Sequence, residues 1–209
     1  MTDLPILYSF RRCPYAMRAR MALLVSGTAC TLREVKLSDK PAAMIAASEK
    51  ATVPVVVADG DVIEESLDVM DWALARADPE GWRGRHDDAL IAANDGPFKY
   101  HLDRYKYETR HDSDPDEHFA AGVALLKSLE ARLDGTENLH GDARGYTDIA
   151  IFPFVRQFAH ADRDRWAEPP LPNVRAWLKR HLGSGLFQAA MVKHPPWQEG
   201  DTPAPFPAS

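Results

Sequence analysis

Short apolar segments recur along the first eighty residues, turn-forming residues separate them, and Thr31–Leu37 alternates apolar and polar residues. Strict alternation indicates a half-buried strand, whereas apolar residues three or four positions apart indicate a helix. In chain order the pattern predicts a strand at Pro5–Phe10, a helix at Pro14–Ser26, a strand at Thr31–Leu37, a short helix at Pro41–Ser48, a hairpin of Val53–Ala58 and Val62–Glu64, and a helix that begins at Ser66. The order βαβ followed by ββα is typical of a thioredoxin-like α/β domain.

The pattern is interrupted at Ala77–Arg85, where Pro and Gly are frequent. We therefore expect one domain over residues 1–80, a linker region at residues 81–85 and a second domain over residues 86–209.

The second domain has the residue spacing of helices. Ile149–Ala159 is compatible with a strand or a buried helix, and its length and the preceding Asp148 favour the helix. The tail from His194 to Ser209 is an exception, because it is rich in proline and we expect it to be extended or disordered. The helical spacing is clearest in one apolar face, which is formed by Phe119, Val123, Leu126, Leu129 and Leu133. The sequence therefore predicts an all-α second domain.

Charge and composition narrow the functional classes. The 209 residues carry a net charge of −6 that is spread over both predicted domains, so no basic lobe is available to bind nucleic acid or an anionic membrane. The N-terminus lacks the basic flank and apolar core of an export signal. The two cysteines do not form a disulfide framework, which favours a reducing cytoplasm. The eight histidines lack metal-ligand spacing, and we expect no metal.

One cysteine occupies a chemically unusual position. Cys13 directly precedes Pro14, and proline is favoured as the first residue of a helix, which makes Cys13 the N-cap or its neighbour. The free N–H groups and the positive dipole end of a helix N-terminus stabilise a thiolate over a thiol. Arg11 and Arg12 add positive charge beside it. We therefore predict a nucleophilic role for Cys13, and a structural role for Cys30, which has no helix start next to it.

Several motifs together carry a family resemblance. Cys-Pro-Tyr-Ala at a helix start, Val53-Pro54, Glu65-Ser66 and a following all-α domain resemble a cytosolic glutathione transferase over nearly the whole chain. The stretch "CPYAMRARMAL" is most similar to the cysteine-type members, which are the omega class and the two-domain bacterial glutaredoxins. The resemblance implies glutathione as a co-substrate and a homodimer.

The resemblance also implies roles for individual residues. Pro54 would follow a cis peptide bond, and the backbone of Val53 would pair with the cysteinyl unit of glutathione. Glu65 would face the ammonium of the γ-glutamyl end. Ser66, as a helix N-cap, would bind the γ-glutamyl carboxylate. Lys40 would face the glycyl carboxylate.

In the second domain the resemblance implies a helix cap and a substrate pocket. The family's central helix starts with a Ser/Thr-x-x-Asp box, but here Gly145 replaces the hydroxyl residue, and Asp148 is predicted to be structural. The pocket for the second substrate would lie between the domains and be lined by residues of Phe98–Arg110. Tyr100 and Tyr107 are the candidates.

Three functions follow from the resemblance and these residues. The first, which we expect, is a glutathione-dependent thiol transferase that reduces glutathionylated substrates through a Cys13–glutathione mixed disulfide. Ala16 stands where a dithiol glutaredoxin has its resolving cysteine, so one thiol would complete the cycle. The second is conjugation of glutathione to electrophilic small molecules, for which Tyr8 is a candidate activating residue. The third is a non-catalytic binding module with this fold.

Overall fold

A computed structural model describes residues 4–202 and 204–207. Five strands and eleven α-helices lie in these residues, together with a 3₁₀ turn at Trp82–Gly84 and a π-helical segment at Asn94–Phe98. The elements are, in chain order, β1 Ile6–Ser9, α1 Pro14–Val25, β2 Cys30–Glu34, α2 Ala42–Ala47, β3 Val55–Ala58, β4 Asp61–Ile63, α3 Ser66–Arg76, α4 Asp88–Ala93, α5 Lys99–Lys106, α6 Glu108–His111, α7 Pro115–Arg132, α8 Tyr146–Ala159, α9 Arg163–Trp166, α10 Pro172–Gly183, α11 Gly185–Ala190 and β5 Ala204–Phe206.

The chain forms two compact units, one of Met1–Glu80 with Ser184–Ser209 and one of Gly81–Gly183. The first unit contains a mixed sheet with the strand order β4-β3-β1-β2-β5. β1 and β2 run parallel, whereas the other neighbouring pairs are antiparallel. This is a thioredoxin-like α/β unit, and with the helical second unit it confirms the predicted fold class.

The C-terminal segment differs from its prediction. The sequence predicts that residues 86–209 form the helical domain and that the tail is extended or disordered, but residues 184–209 belong to the first unit. β5 pairs with the edge of β2, so that Cys30 lies opposite Phe206. α11 packs against α1. A strand that covers the sheet edge satisfies backbone groups that the edge would otherwise expose, and this explains the placement.

Helix α1 is buried more completely than its sequence suggests. The pattern from Pro14 onward looks amphipathic, yet Arg18 and Arg20 are 2% and 0% exposed. A buried guanidinium requires polar partners, since an unpaired buried charge is costly. Arg18 donates to the hydroxyl of Ser66, and Arg20 forms an ion pair with Glu34. These partners lie far away in the sequence, so local periodicity does not reveal them.

The second unit is helical. Residues 81–183 all lie in the described part of the chain and contain no strand. Ile149–Val155 belongs to α8, as predicted. The helices of the described chain include none that is both long and apolar enough to cross a membrane.

The start of α8 explains why glycine replaces a hydroxyl residue at its N-cap. Asp148 is fully buried and accepts hydrogen bonds from the amides of Gly145 and Leu139, both at 2.9 Å, and from the indole N–H of Trp177 at 2.8 Å. A Cβ atom on Gly145 would lie 2.4 Å from the Cβ of Arg85 and 2.9 Å from its carbonyl oxygen. The N-cap position therefore has no room for a side chain, and Asp148 is structural, as predicted.

Candidate functional site

Cys13 is the N-cap residue of α1 and Pro14 is the first helical residue, as predicted. The carbonyl of Cys13 accepts from the amide of Met17 at 2.9 Å, which begins the helical hydrogen bonds. The thiol is partly buried and lies 3.7 Å from the carbonyl oxygen of Val53, to which it donates. The peptide bond from Val53 to Pro54 is cis, as the resemblance implied. The thiol is therefore next to the backbone segment that the sequence singled out for binding.

A cleft of about 510 Å³ opens beside this segment. Its volume is in the range of sites that bind small molecules. Eight residues line it, and they are Tyr15, Lys50, Thr52, Val53, Pro54, Glu64, Glu65 and Ser66. Four of the five residues proposed as ligand contacts thus come together on one side of the first unit.

Lys40 is the exception. It lies in a separate depression with Asp39 and residues 197–199. The lysine that lines the cleft is Lys50, which sequence reasoning missed. Its Nζ atom is 2.7 Å from Oε1 of Glu65 and 3.4 Å from Oε2 of Glu64, and hydrogen bonds to these carboxylates raise the pKa of Lys50. The sequence signal that could have identified Lys50 is its position three residues before the Val53-Pro54 pair.

Ser66 is the first residue of α3, and Glu65 occupies the N-cap, so the prediction that Ser66 is the N-cap is wrong. Ser66 is 3% exposed, and its Oγ atom accepts from Nε of Arg18 at 3.0 Å. A hydroxyl has one hydrogen and two acceptor sites. Because Arg18 occupies an acceptor site, the hydroxyl hydrogen remains available to donate to an anion at the helix start.

Two tyrosines of the first unit differ in their access to the cleft. Tyr15 lines it, and the guanidinium of Arg18 lies 5.1 Å from the centre of the Tyr15 ring. Tyr8, the candidate activating tyrosine, is 2% exposed and packs in the core cluster that includes Val53. Its hydroxyl accepts from Nη1 of Arg33 at 2.6 Å. Tyr8 therefore stabilises the core of this unit and is not among the residues that line the cleft.

The two remaining candidate residues lie in the second unit. Tyr100, in α5, is 48% exposed, and the guanidinium of Arg104 lies 3.5 Å from the centre of its ring. Tyr107 is the C-cap of α5 and is half-buried. The cationic groups of Lys106 and Arg110 lie 4.9 and 4.8 Å from the centre of its ring. An exposed aromatic ring beside a cation is suited to contact with a planar or anionic molecule. Their role as substrate contacts stays a prediction.

Cys30 has none of the features of Cys13. It is fully buried in β2, and burial raises the pKa of its thiol to about 12. A thiol with this pKa is not a nucleophile near neutral pH. Within the described residues, no three side chains of His, Cys, Asp or Glu cluster as metal ligands.

Both parts of the chain match models of one protein family. Residues 7–81 match the glutathione S-transferase N-terminal domain, and residues 100–180 match the glutathione S-transferase C-terminal domain. Among similar proteins, a probable glutathione S-transferase parA from Nicotiana tabacum is 25% identical over 196 residues, which cover 86% of this chain and 85% of the relative. Glutathione S-transferase U19 from Arabidopsis thaliana is 25% identical over 199 residues and 87% of both chains.

Solved structures share the fold at low sequence identity. A glutathione transferase family member from Pseudomonas fluorescens, solved with two glutathione bound, superimposes with a TM-score of 0.75 and 16% identity over 90% of this chain and 92% of its own. Glutathione transferase Omega 3C from Trametes versicolor gives a TM-score of 0.73 and 18% identity over 93% and 92%. These similarities show the fold.

Proposed function

Because the chain belongs to the glutathione S-transferase superfamily, we propose that it is a glutathione transferase that binds glutathione in the cleft beside Cys13 and joins it to electrophilic small molecules. The observation that carries this proposal is the cleft itself, which is lined by Val53 and the start of α3. The Cys13 thiol at the start of α1 lies beside it, 3.7 Å from the carbonyl oxygen of Val53. The relatives named above, which are called glutathione S-transferases, favour conjugation over the thiol transfer that the sequence predicts.

Each end of glutathione has a complementary group in the cleft. The cysteinyl unit pairs with the backbone of Val53, and its sulfur then lies near the start of α1, where the helix dipole stabilises a thiolate. The γ-glutamyl carboxylate accepts from Ser66 at the start of α3, and the ammonium faces Glu65. In the free protein Lys50 neutralises Glu65. Binding exchanges this ion pair for two new ones, with the ligand ammonium on Glu65 and a ligand carboxylate on Lys50.

A second candidate function is favoured by the presence of a thiol, and not a hydroxyl, at position 13. The Cys13 thiolate attacks the disulfide of a glutathionylated substrate, forms a Cys13–glutathione disulfide and releases the substrate thiolate. A glutathione thiolate then attacks this mixed disulfide, which yields oxidised glutathione and regenerates the Cys13 thiolate. This reaction needs one protein thiol, that of Cys13, because glutathione supplies the other. Cys30 takes no part in it, since it is buried.

Two assays with one variant separate these functions. Conjugation is followed with glutathione and chlorodinitrobenzene, and thiol transfer with glutathione and hydroxyethyl disulfide. We expect the wild type to conjugate, and Cys13→Ser to retain conjugation because a hydroxyl can donate to a glutathione thiolate, while thiol transfer is lost. Cys30→Ala is the matched control and should change neither rate. A wild type that lacks conjugation but transfers thiols would replace the first function by the second, and a wild type with neither activity would refute both.

A further inference from the structure

The loop that leads into Cys13 is tied to the neighbouring strand by one carboxylate. The amide of Cys13 donates to the carbonyl of Phe10 at 3.0 Å, which closes a turn. The amide of Arg11 donates to Oε1 of Glu34 at 2.7 Å. Because Ser9 and Glu34 are register partners at the ends of β1 and β2, the side chain of Glu34 reaches the residues that follow β1. The backbone two residues before Cys13 is thus held by a side chain.

The same carboxylate contacts the helix that follows Cys13. Oε2 of Glu34 lies 3.5 Å from Nη1 of Arg20, in α1, and the two side chains are 8% and 0% exposed. Burial raises the pKa of Glu34 and lowers that of Arg20 to about 10, although each partner favours the charged form of the other. Glu34 therefore connects the backbone before Cys13 with the helix after it.

The C-terminal segment forms hydrogen bonds with both members of this pair and with Arg11. The carbonyls of Met191 and Val192 accept from the guanidinium groups of Arg11 and Arg20, both at 3.4 Å. The amide of Trp197 donates to the carbonyl of Glu34 at 2.8 Å. A buried ion pair contributes little to stability compared with apolar side chains of similar size, so its retention calls for another reason.

We propose that Glu34 is a positioning residue for Cys13, which acts by accepting the Arg11 amide and so fixing the turn that places the thiol at the start of α1. The acceptor oxygen performs this role, and the negative charge serves to pair with Arg20. The consequence for turnover rests on the proposed function, whereas the consequence for thiol reactivity does not require glutathione.

A pair of double variants tests the role of the acceptor. Arg20→Met with Glu34→Gln removes the buried charges and keeps an oxygen for the Arg11 amide. Arg20→Met with Glu34→Leu removes the charges and the acceptor together. Neither variant leaves a buried charge unpaired, so both should fold. The measured quantity is the alkylation rate of Cys13 by iodoacetamide, followed on its peptide by mass spectrometry over a range of pH, with circular dichroism melting as the measure of stability.

We expect the Gln variant to alkylate Cys13 within about twofold of the wild type, and the Leu variant to react about three- to tenfold more slowly near neutral pH, because the thiolate loses part of its stabilisation by the helix start. The kcat of thiol transfer should fall in the Leu variant with an unchanged KM for glutathione. Equal alkylation rates in the two variants would overturn the proposal, whether both react like the wild type or both react more slowly. If the rates split as expected but the wild type fails to bind glutathione, the positioning role stands and the proposed function falls.

Discussion

For Gly145→Ser, the rule of helix capping and the packing of this structure predict opposite effects on stability. Serine is a better N-cap than glycine by a few tenths of a kcal/mol, and a Ser/Thr-x-x-Asp box is the pattern of the family that the sequence resembles. A stabilising effect is therefore the expectation from the sequence alone. The structure gives the opposite expectation, because the new Cβ would lie 2.4 Å from Cβ of Arg85 and 2.9 Å from its carbonyl oxygen.

The cost follows from which atoms must move. Non-bonded carbon atoms prefer separations of about 3.5–4.0 Å, so the backbone at Arg85 would have to shift by about 1 Å. Its carbonyl also accepts from the amide of Thr147 at 3.2 Å, and this bond would be strained. Overpacking of this kind costs about 1–3 kcal/mol, which exceeds the gain from the cap. At about 2 kcal/mol, Tm should fall by about 4–8 °C for a chain of this size.

Thermal melting followed by circular dichroism, together with urea unfolding, measures the effect of Gly145→Ser. Gly183→Ser is the matched control, since a Cβ at Gly183 meets no atom within 4 Å and this residue has an ordinary backbone conformation. The control should change Tm by no more than about 2 °C. A Gly145→Ser protein that melts at or above the wild-type temperature would refute the packing argument.

Two further predictions follow from the charged groups. Lys50→Met should raise the Kd for glutathione about five- to tenfold in calorimetry, because the ligand carboxylate that Lys50 pairs with in the complex would lose its cation. The matched variant Lys40→Met, in the separate depression, should change the Kd less than about twofold. The reverse order of the two effects would restore the assignment of Lys40 made from the sequence. The buried His181 has its pKa lowered from 6.5 to about 3 by burial and nearby arginines, so the unfolded chain binds this proton more readily than the folded chain. The free energy of unfolding should therefore decrease by about 1.4 kcal/mol per pH unit as the pH falls below 6.5, and urea unfolding of His181→Leu should show a flatter decline.

The features that the sequence predicts well are those with local signals. A proline at the first helical position identifies Cys13 as the cap of α1, and short apolar segments bounded by turns locate β1 and β3. The cis bond before Pro54 was inferred from the resemblance and is present. The helix cap and these strands depend on neighbours within a few residues, so one sequence carries enough information to predict them.

The features that the sequence did not predict depend on distant partners. β5 was assigned to an extended or disordered tail because its pairing partner, β2, lies about 170 residues earlier. Lys40 and Lys50 each lie within a few residues of a proline, so the sequence does not show which of them lines the cleft. The tertiary fold places Lys50 in the cleft and Lys40 in a separate depression. The burial of Arg20 likewise requires Glu34, which belongs to another element. Periodicity treats such arginines as exposed because it does not include their partners.

The reaction of Cys13 with oxidised glutathione tests the central claim that glutathione binds in this cleft with its sulfur at the start of α1. The rate of adduct formation is measured by intact-mass spectrometry and peptide mapping at increasing concentrations of oxidised glutathione. We expect one glutathione, on Cys13 and removable by dithiothreitol, with a rate that saturates. We also expect Glu65→Ala to raise the concentration of oxidised glutathione needed for half saturation. An adduct on Cys30, or a rate on Cys13 that rises linearly without saturation and is the same in Glu65→Ala, would contradict it.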